Sequence, residues 1–173
     1  TITVLSAKPA REKGEPHGAA TLLRAPRVGT SGLTISWAVF LPVAEPGDLE
    51  VPIDTPNLGQ FSLLLHGYFF LDSGRRRIDG VVGPAESEEP SAAASLRRAW
   101  NGTLRDSVVL PLVPSLLWDA LETKMLTFDE LAVLAGAISK SAWFNTHRSS
   151  ICSEVALIQV LEMSSAVVWR TIA

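Results

Sequence analysis

Between Phe61 and Leu71 the chain reads FSLLLHGYFFL, and this apolar run stops abruptly at Asp72-Ser73-Gly74 before three consecutive arginines. A stretch so apolar and so rich in aromatic and branched side chains is stable only when covered. It predicts a strand from Phe61 to Leu71 packed on both faces. That strand delivers Arg75, Arg76 and Arg77 onto a turn. A guanidinium group donates several hydrogen bonds from a planar fork and stays charged at any physiological pH, so the arrangement suits presentation to an anion. An ordinary strand followed by a solvated basic turn fits the same local pattern, and both readings stand at this level.

The rest of the composition narrows the setting. The 173 residues suffice for one domain with a sizeable core, or for a small domain with an appendage. Hydrophobic residues make up 47% and charged residues 19%, which excludes a disordered chain. A net charge of -3 gives no general attraction to nucleic acid or to an anionic membrane. Cys152 is the single cysteine; it excludes an internal disulfide framework and a multi-cysteine metal site, and fits a reducing, cytoplasmic setting. No apolar run reaches the roughly 20 residues of a membrane span, so no membrane partner is expected. Neither an initiator Met nor a signal-peptide pattern stands at Thr1, so we expect a piece of a longer protein with an active site outside it.

Strand patterns dominate the first half. Thr1 to Leu5 alternates polar and apolar residues, Thr21 to Val28 reads as a short strand closed by Gly29, and Ile35 to Val43 (ISWAVFLPV) is a strand that Pro42 places at an edge. Lys8 to Gly18, Glu45 to Gly59 and Gly80 to Pro90 read as irregular connections. Helical patterns follow. Ser91 can cap a helix from Ala92 to Leu110 whose stripe Leu96, Trp100, Leu104 and Val108 is expected to face the sheet. Pro111 and Pro114 interrupt it, and Ser115 can cap a second helix. Thr127 and Glu130 form a capping-box pattern before a third. Glu154 to Met163 predicts a fourth helix, and Ala166 to Ile172 a closing strand. Strands first and helices later predict an α+β fold, an antiparallel or mixed sheet packed by helices, with a more helical C-terminal part.

Catalytic constellations are scarce. His66 lies within a strand, where a neutral, hydrogen-bonded imidazole is expected. His147 and Cys152 admit a thiol nucleophile only if folding brings them together, and a buried small cysteine is the plainer reading. The chain carries neither a GxxxxGKS loop nor a GxGxxG fingerprint, so it has no nucleotide or metal site that can be named, and no cofactor is assigned to it. Asn101-Gly102-Thr103 matches a glycosylation acceptor by chance inside a helix. Arg97, Arg98 and Arg105 lie at helical spacing, as a basic ridge or a solvated face. The five tryptophans read as core anchors.

Three blocks in order, AVFLPV (38–43), LLLHGYFFLDSGRRRI (63–78) and LRRAWNGTLRDSVVLPLVPSLL (96–117), resemble the sacsin-type branch of the heat shock protein 90-like ATPases. Gly67, Tyr68, Phe69, Leu71, Ser73, Arg75 and Arg76 fall on that family's strand-and-turn pattern, and Trp100, Asn101, Val108, Val109 and Pro111 on its helix pattern. The chain departs from it at His66, Gly74 and Ser107. The resemblance covers about half of the chain, judged as a motif match. It implies a segment that follows an ATP-binding domain, with the ribosomal-protein-S-five domain-two-like transducer fold over residues 1–124 and a helical extension over 125–173. It also implies that Arg75 or Arg76, and by proximity Arg77, reaches the γ-phosphate of ATP held with Mg in that adjacent domain. On that reading the chain is a non-catalytic transducer of a larger cytoplasmic, chaperone-like ATPase, with the ATP-binding domain as partner; a homo-oligomer is left open, and the client is unspecified. A free-standing module binding an acidic partner or nucleic acid through the basic turn is the alternative.

Overall fold

The computed structural model describes residues 3–7, 17–25, 31–39, 41–44, 48–55, 58–80, 91–141, 144, 160–163 and 166–169. Alternation of side chains builds its centre. In β3 (Gly32–Val39) and β6 (Gln60–Gly67), and in β2 (Gly18–Ala25) as far as Leu22, every second residue is apolar and points to one face. Leu22, Ile35, Trp37, Phe61, Leu63 and Leu65 on that face are at most 1% exposed. The other face, with Thr21, Thr34, Ser36, Ser62 and Leu64, is only half-buried. The predicted two-sided burial of the Phe61 run is therefore corrected to one buried face, because the helices described here pack on that side.

The sheet is mixed. β1 (Thr3–Ala7) pairs antiparallel with β2, β2 antiparallel with β6, and β6 parallel with β3, with Ile35 beside Leu63. β3 carries two short antiparallel edge strands, β4 (Leu41–Pro42) and β5 (Leu49–Pro52). The two apolar runs pair side by side, but their bounds differ from the predicted ones. The Ile35 run turns back after Val39 and places Pro42 in the edge strand β4. β5 occupies part of the stretch expected to be irregular. The Phe61 strand stops at Gly67, four residues early. The first two strands run over Thr3–Ala7 and Gly18–Ala25, shifted from the predicted spans by two and three residues.

Helix α1 (Ala92–Leu104) is capped by the Ser91 hydroxyl, which accepts from the Ala94 amide. It then widens into a π-turn, Arg105–Val109, in which the Leu110 amide donates to the Arg105 carbonyl at 2.9 Å. Of the predicted stripe Leu104 is buried as expected, and this turn corrects its Val108 end. The extra residue per turn moves burial from Val108 to Val109 and Leu110, while Leu96 is 73% and Trp100 40% exposed. Pro111 has no N–H to continue an α-helical ladder, so the wide turn ends where a regular one would break. α2 (Leu112–Glu122) begins before Ser115, which is not its cap, and Pro114 sits in the first turn, where an amide has no intrahelical partner to lose. Its buried residues Val113, Leu116, Leu117 and Ala120 face β1 and β2.

α3 (Phe128–Lys140) starts with the expected Thr127–Glu130 capping box. Glu130 also takes Arg24 of β2 at 2.5 Å, and the same guanidinium donates to the Met125 carbonyl and lies 5.3 Å from the Phe61 ring centre. One core cluster joins Leu117 and Ala120 to Met125, Leu131, Leu134 and Phe144, across residue 124. β7 (Val160–Met163) and β8 (Ala166–Trp169) form a separate antiparallel pair. The closing strand is thus present, but 160–163 is strand rather than helix; 154–159 and 170–172 lie outside the described residues, as do Trp143, His147 and Cys152. Among the described residues no helix is long and apolar enough to cross a membrane.

Candidate functional site

The arginines sit on a narrow hairpin that leaves the end of β6. Its base is closed by the Asp79 amide donating to the Phe70 carbonyl and by the Asp72 amide donating to the Arg77 carbonyl, both at 3.0 Å, with Leu71 bridged to Ile78. Its tip is shaped by Asp72. The Asp72 carbonyl accepts from the Arg75 amide at 3.0 Å, and its side-chain Oδ1 accepts from the amides of Arg76 at 2.8 Å and Arg77 at 3.2 Å. The Arg77 amide, then the Arg76 amide and the two guanidinium charges, hold the Asp72 carboxyl below its ordinary 3.8 against the opposing effect of partial burial. Asp72 therefore stays ionised and capping through the neutral pH range.

Backbone shape singles out one arginine. Arg75 has φ 54°, in the left-handed region where glycine or asparagine is the comfortable occupant. Its neighbour Gly74, which has that freedom, does not use it. Arg75 and Arg76 are exposed and make no side-chain ion pair or hydrogen bond among the described residues, whereas the Arg77 guanidinium lies 3.8 Å from Asp72.

The hairpin is anchored by Asn101, a residue to which the sequence reading gives no structural role. Asn101 of α1 is fully buried, accepts from the Phe70 amide at 2.8 Å, and donates to the carbonyls of Phe70 at 2.8 Å and Asp79 at 2.7 Å. One N–H and two carbonyl partners admit only one orientation of its amide. Arg98, one turn earlier on the helix, adds an ion pair to Asp79 at 3.0 Å. Burial of Asn101 also removes it as a glycosylation acceptor. The signal that pointed to this clamp was an asparagine in mid-helix between Trp100 and Gly102, a place the residue disfavours unless its side chain is used.

Neither a basic ridge nor a wholly solvated face forms from Arg97, Arg98 and Arg105. Arg98 is committed to Asp79 and Arg105 to Asp106 at 2.6 Å, which raises the Arg105 pKa, so of the three only Arg97 is exposed. At the neighbouring corner His17 and His66 stand beside Tyr68, with ring centres 4.9 Å (His17–Tyr68) and 5.9 Å (His66–Tyr68) apart. Burial, then the charge of His17, pushes His66 below its ordinary 6.5. Gly18 and Gly67 pair across the two strands here. A Cβ on Gly18 would meet Val109 at 2.7 Å, so Gly18 opens the dent that seats the π-turn, while Gly67 leaves room for the Phe69 ring. Among the described residues no three His, Cys, Asp or Glu side chains gather to hold a metal ion. No protein-family model, curated protein or solved structure matches the chain.

Proposed function

We propose that the chain is a non-catalytic transducer segment that presents Arg75, with Arg76 beside it, to the terminal phosphate of a nucleotide held on another domain. The observation that carries the reading is the left-handed backbone of Arg75 on a hairpin anchored by buried Asn101. Strain of about 1–3 kcal/mol at a non-glycine residue persists only where the surroundings over-determine it, and such residues gather at functional sites. The guanidinium would stabilise charge that develops on the phosphoryl oxygens, with Mg and the rest of the nucleotide held outside this chain. Supplying that cation from a second domain couples hydrolysis to docking. The sacsin-like family and the ribosomal-protein-S-five domain-two-like fold belong to the same proposal. Helices against one face of a mixed sheet support the fold, and the join between the parallel β3 and β6 carries β5, with no helix among its described residues.

The test separates function from structure by using glycine. Arg75→Gly relieves the left-handed residue, so it should raise unfolding stability by about 0.5–1 kcal/mol. In the protein that carries the ATP-binding domain it should lower ATP turnover by about tenfold or more while ATP affinity changes little. Lys124, with φ 58° just beyond α2, is the control: Lys124→Gly should stabilise without touching turnover. Unchanged turnover in both Arg75→Gly and Arg76→Ala would confine these arginines to the turn.

A further inference from the structure

We infer that His17, His66 and Tyr68 form a binding site for a borderline transition-metal dication of the zinc type. Strand register brings the three together. Ala19 of β2 stands opposite His66 of β6 and Gly18 opposite Gly67, and one step further the Tyr68 amide donates to the His17 carbonyl at 3.3 Å. His66 and Tyr68 flank buried Gly67 on the strand, so their side chains leave the same face, the one turned away from the helices. His17 stands across from Tyr68 and diagonal to His66, within reach of both.

The spacing fits one ion. The imidazole centres are 6.2 Å apart, and the Tyr68 ring centre lies 4.9 Å from that of His17 and 5.9 Å from that of His66. The point midway between the imidazoles is half of 6.2 Å, about 3.1 Å, from each and, by the triangle of the three distances, about 4.5 Å from the phenol ring centre. Zinc held about 2.0–2.1 Å from a ring nitrogen stands about 3.2 Å from the imidazole centre, and zinc on a phenolate oxygen stands up to about 4.8 Å from that ring's centre. All three requirements meet near that one point. Aiming the donors there takes rotation about the Cβ–Cγ bonds, a soft torsion, by half-buried histidines and a tyrosine that is 44% exposed. Each imidazole has two nitrogens, so one can ligate while the other keeps a hydrogen bond. Burial, then the charge of His17, favours the neutral form of His66, the form that ligates. The phenol gives its proton to solvent as its oxygen bonds to the metal. Two imidazoles and one oxygen, with water completing the shell, make the donor set of an open zinc site, and imidazole selects such ions over magnesium or calcium.

An ion held here would tie the residue before β2 to the end of β6, where the arginine hairpin begins. The site is independent of the nucleotide reading, since no arginine takes part. The test is calorimetric titration of the chain with zinc alone, in a Cys152→Ser, His147→Ala background that removes the remaining cysteine and histidine donors. One ion should bind per chain, and excess zinc should raise the melting temperature. His17→Ala and His66→Ala should each weaken binding by about tenfold or more, and Tyr68→Phe, which keeps the ring and removes the oxygen, by about threefold or more. His17 lies outside the strand, so its variant decides the matter even where His66→Ala does not fold. Excess magnesium should leave the zinc isotherm unchanged. Absence of binding in that background, or affinity unchanged in His17→Ala or in Tyr68→Phe, would overturn the inference. Displacement of zinc by magnesium would overturn it as well, because it would assign the binding to carboxylates.

Discussion

Asn101 shows how one side chain converts a flexible turn into a fixed device. Its amide meets the Phe70 N–H and the Phe70 and Asp79 carbonyls in a site with no solvent exposure. Asn101→Ala would leave three backbone groups without that partner, and each unsatisfied buried group costs about 1–3 kcal/mol. Relief by entering water brings the expected loss to about 2–4 kcal/mol in urea unfolding. Asn101→Asp, the same shape, should be no better, because it aims a carboxylate oxygen at two carbonyls. Amide exchange at residues 70–79 should accelerate in both variants well before the core opens. An unchanged exchange pattern would show that the hairpin holds itself. Trp100, one residue away and 40% exposed, should matter far less to stability than the core aromatic it resembles in sequence. The sequence offered both residues, and only burial told which of them was structural.

At the level of elements, the attachment of α3 turns on an ion pair that spans the fold. Arg24 and Glu130 have side-chain exposures of 19% and 8%, so each depends on the other for its charge to be tolerated. Removing one partner of such a pair costs about 3–5 kcal/mol, mostly through the charge left behind. Arg24→Met should therefore destabilise strongly. The double variant Arg24→Met, Glu130→Gln should recover much of the loss, because glutamine can keep the bond to the Thr127 amide that closes the capping box. Additive losses in chemical denaturation would mean that the pair is not coupled. The capping box was legible from the spacing of Thr127 and Glu130. Its second role was not, because Arg24 lies 106 residues away and nothing local announces the meeting. The π-turn is a similar case. Four-residue spacing from Leu96 to Val108 is a valid helical stripe, yet the dent at Gly18 and the proline at 111 favour a wider turn, which moves a different residue to the sheet.

For the molecule as a whole, the corner that joins β2, β6 and the arginine hairpin should make stability pH-dependent. His66 is neutral in the folded state to a lower pH than in the unfolded chain, by burial first and then by His17. Between those two pKa values the unfolded chain binds the extra proton, so stability rises with pH there and is fully present above about 6.5. The melting temperature should fall as pH drops below that value, and His66→Gln should flatten the fall relative to the wild type. Equal slopes in the two proteins would assign the dependence to other groups. Two layers of determination meet at this scale. The sequence alone determined the α+β order, the apolar runs of the central strands, the Ser91 and Thr127 caps and the arginine turn, because each depends on side chains within a few residues of one another. Only the tertiary structure decided which face of α1 is buried, that Asn101 grips the hairpin, that Arg98 is committed to Asp79, and that Arg75 is the strained member of the three. Those outcomes depend on where the chain's distant parts come to rest, and burial, hydrogen-bond partners and backbone strain exist only once they have met.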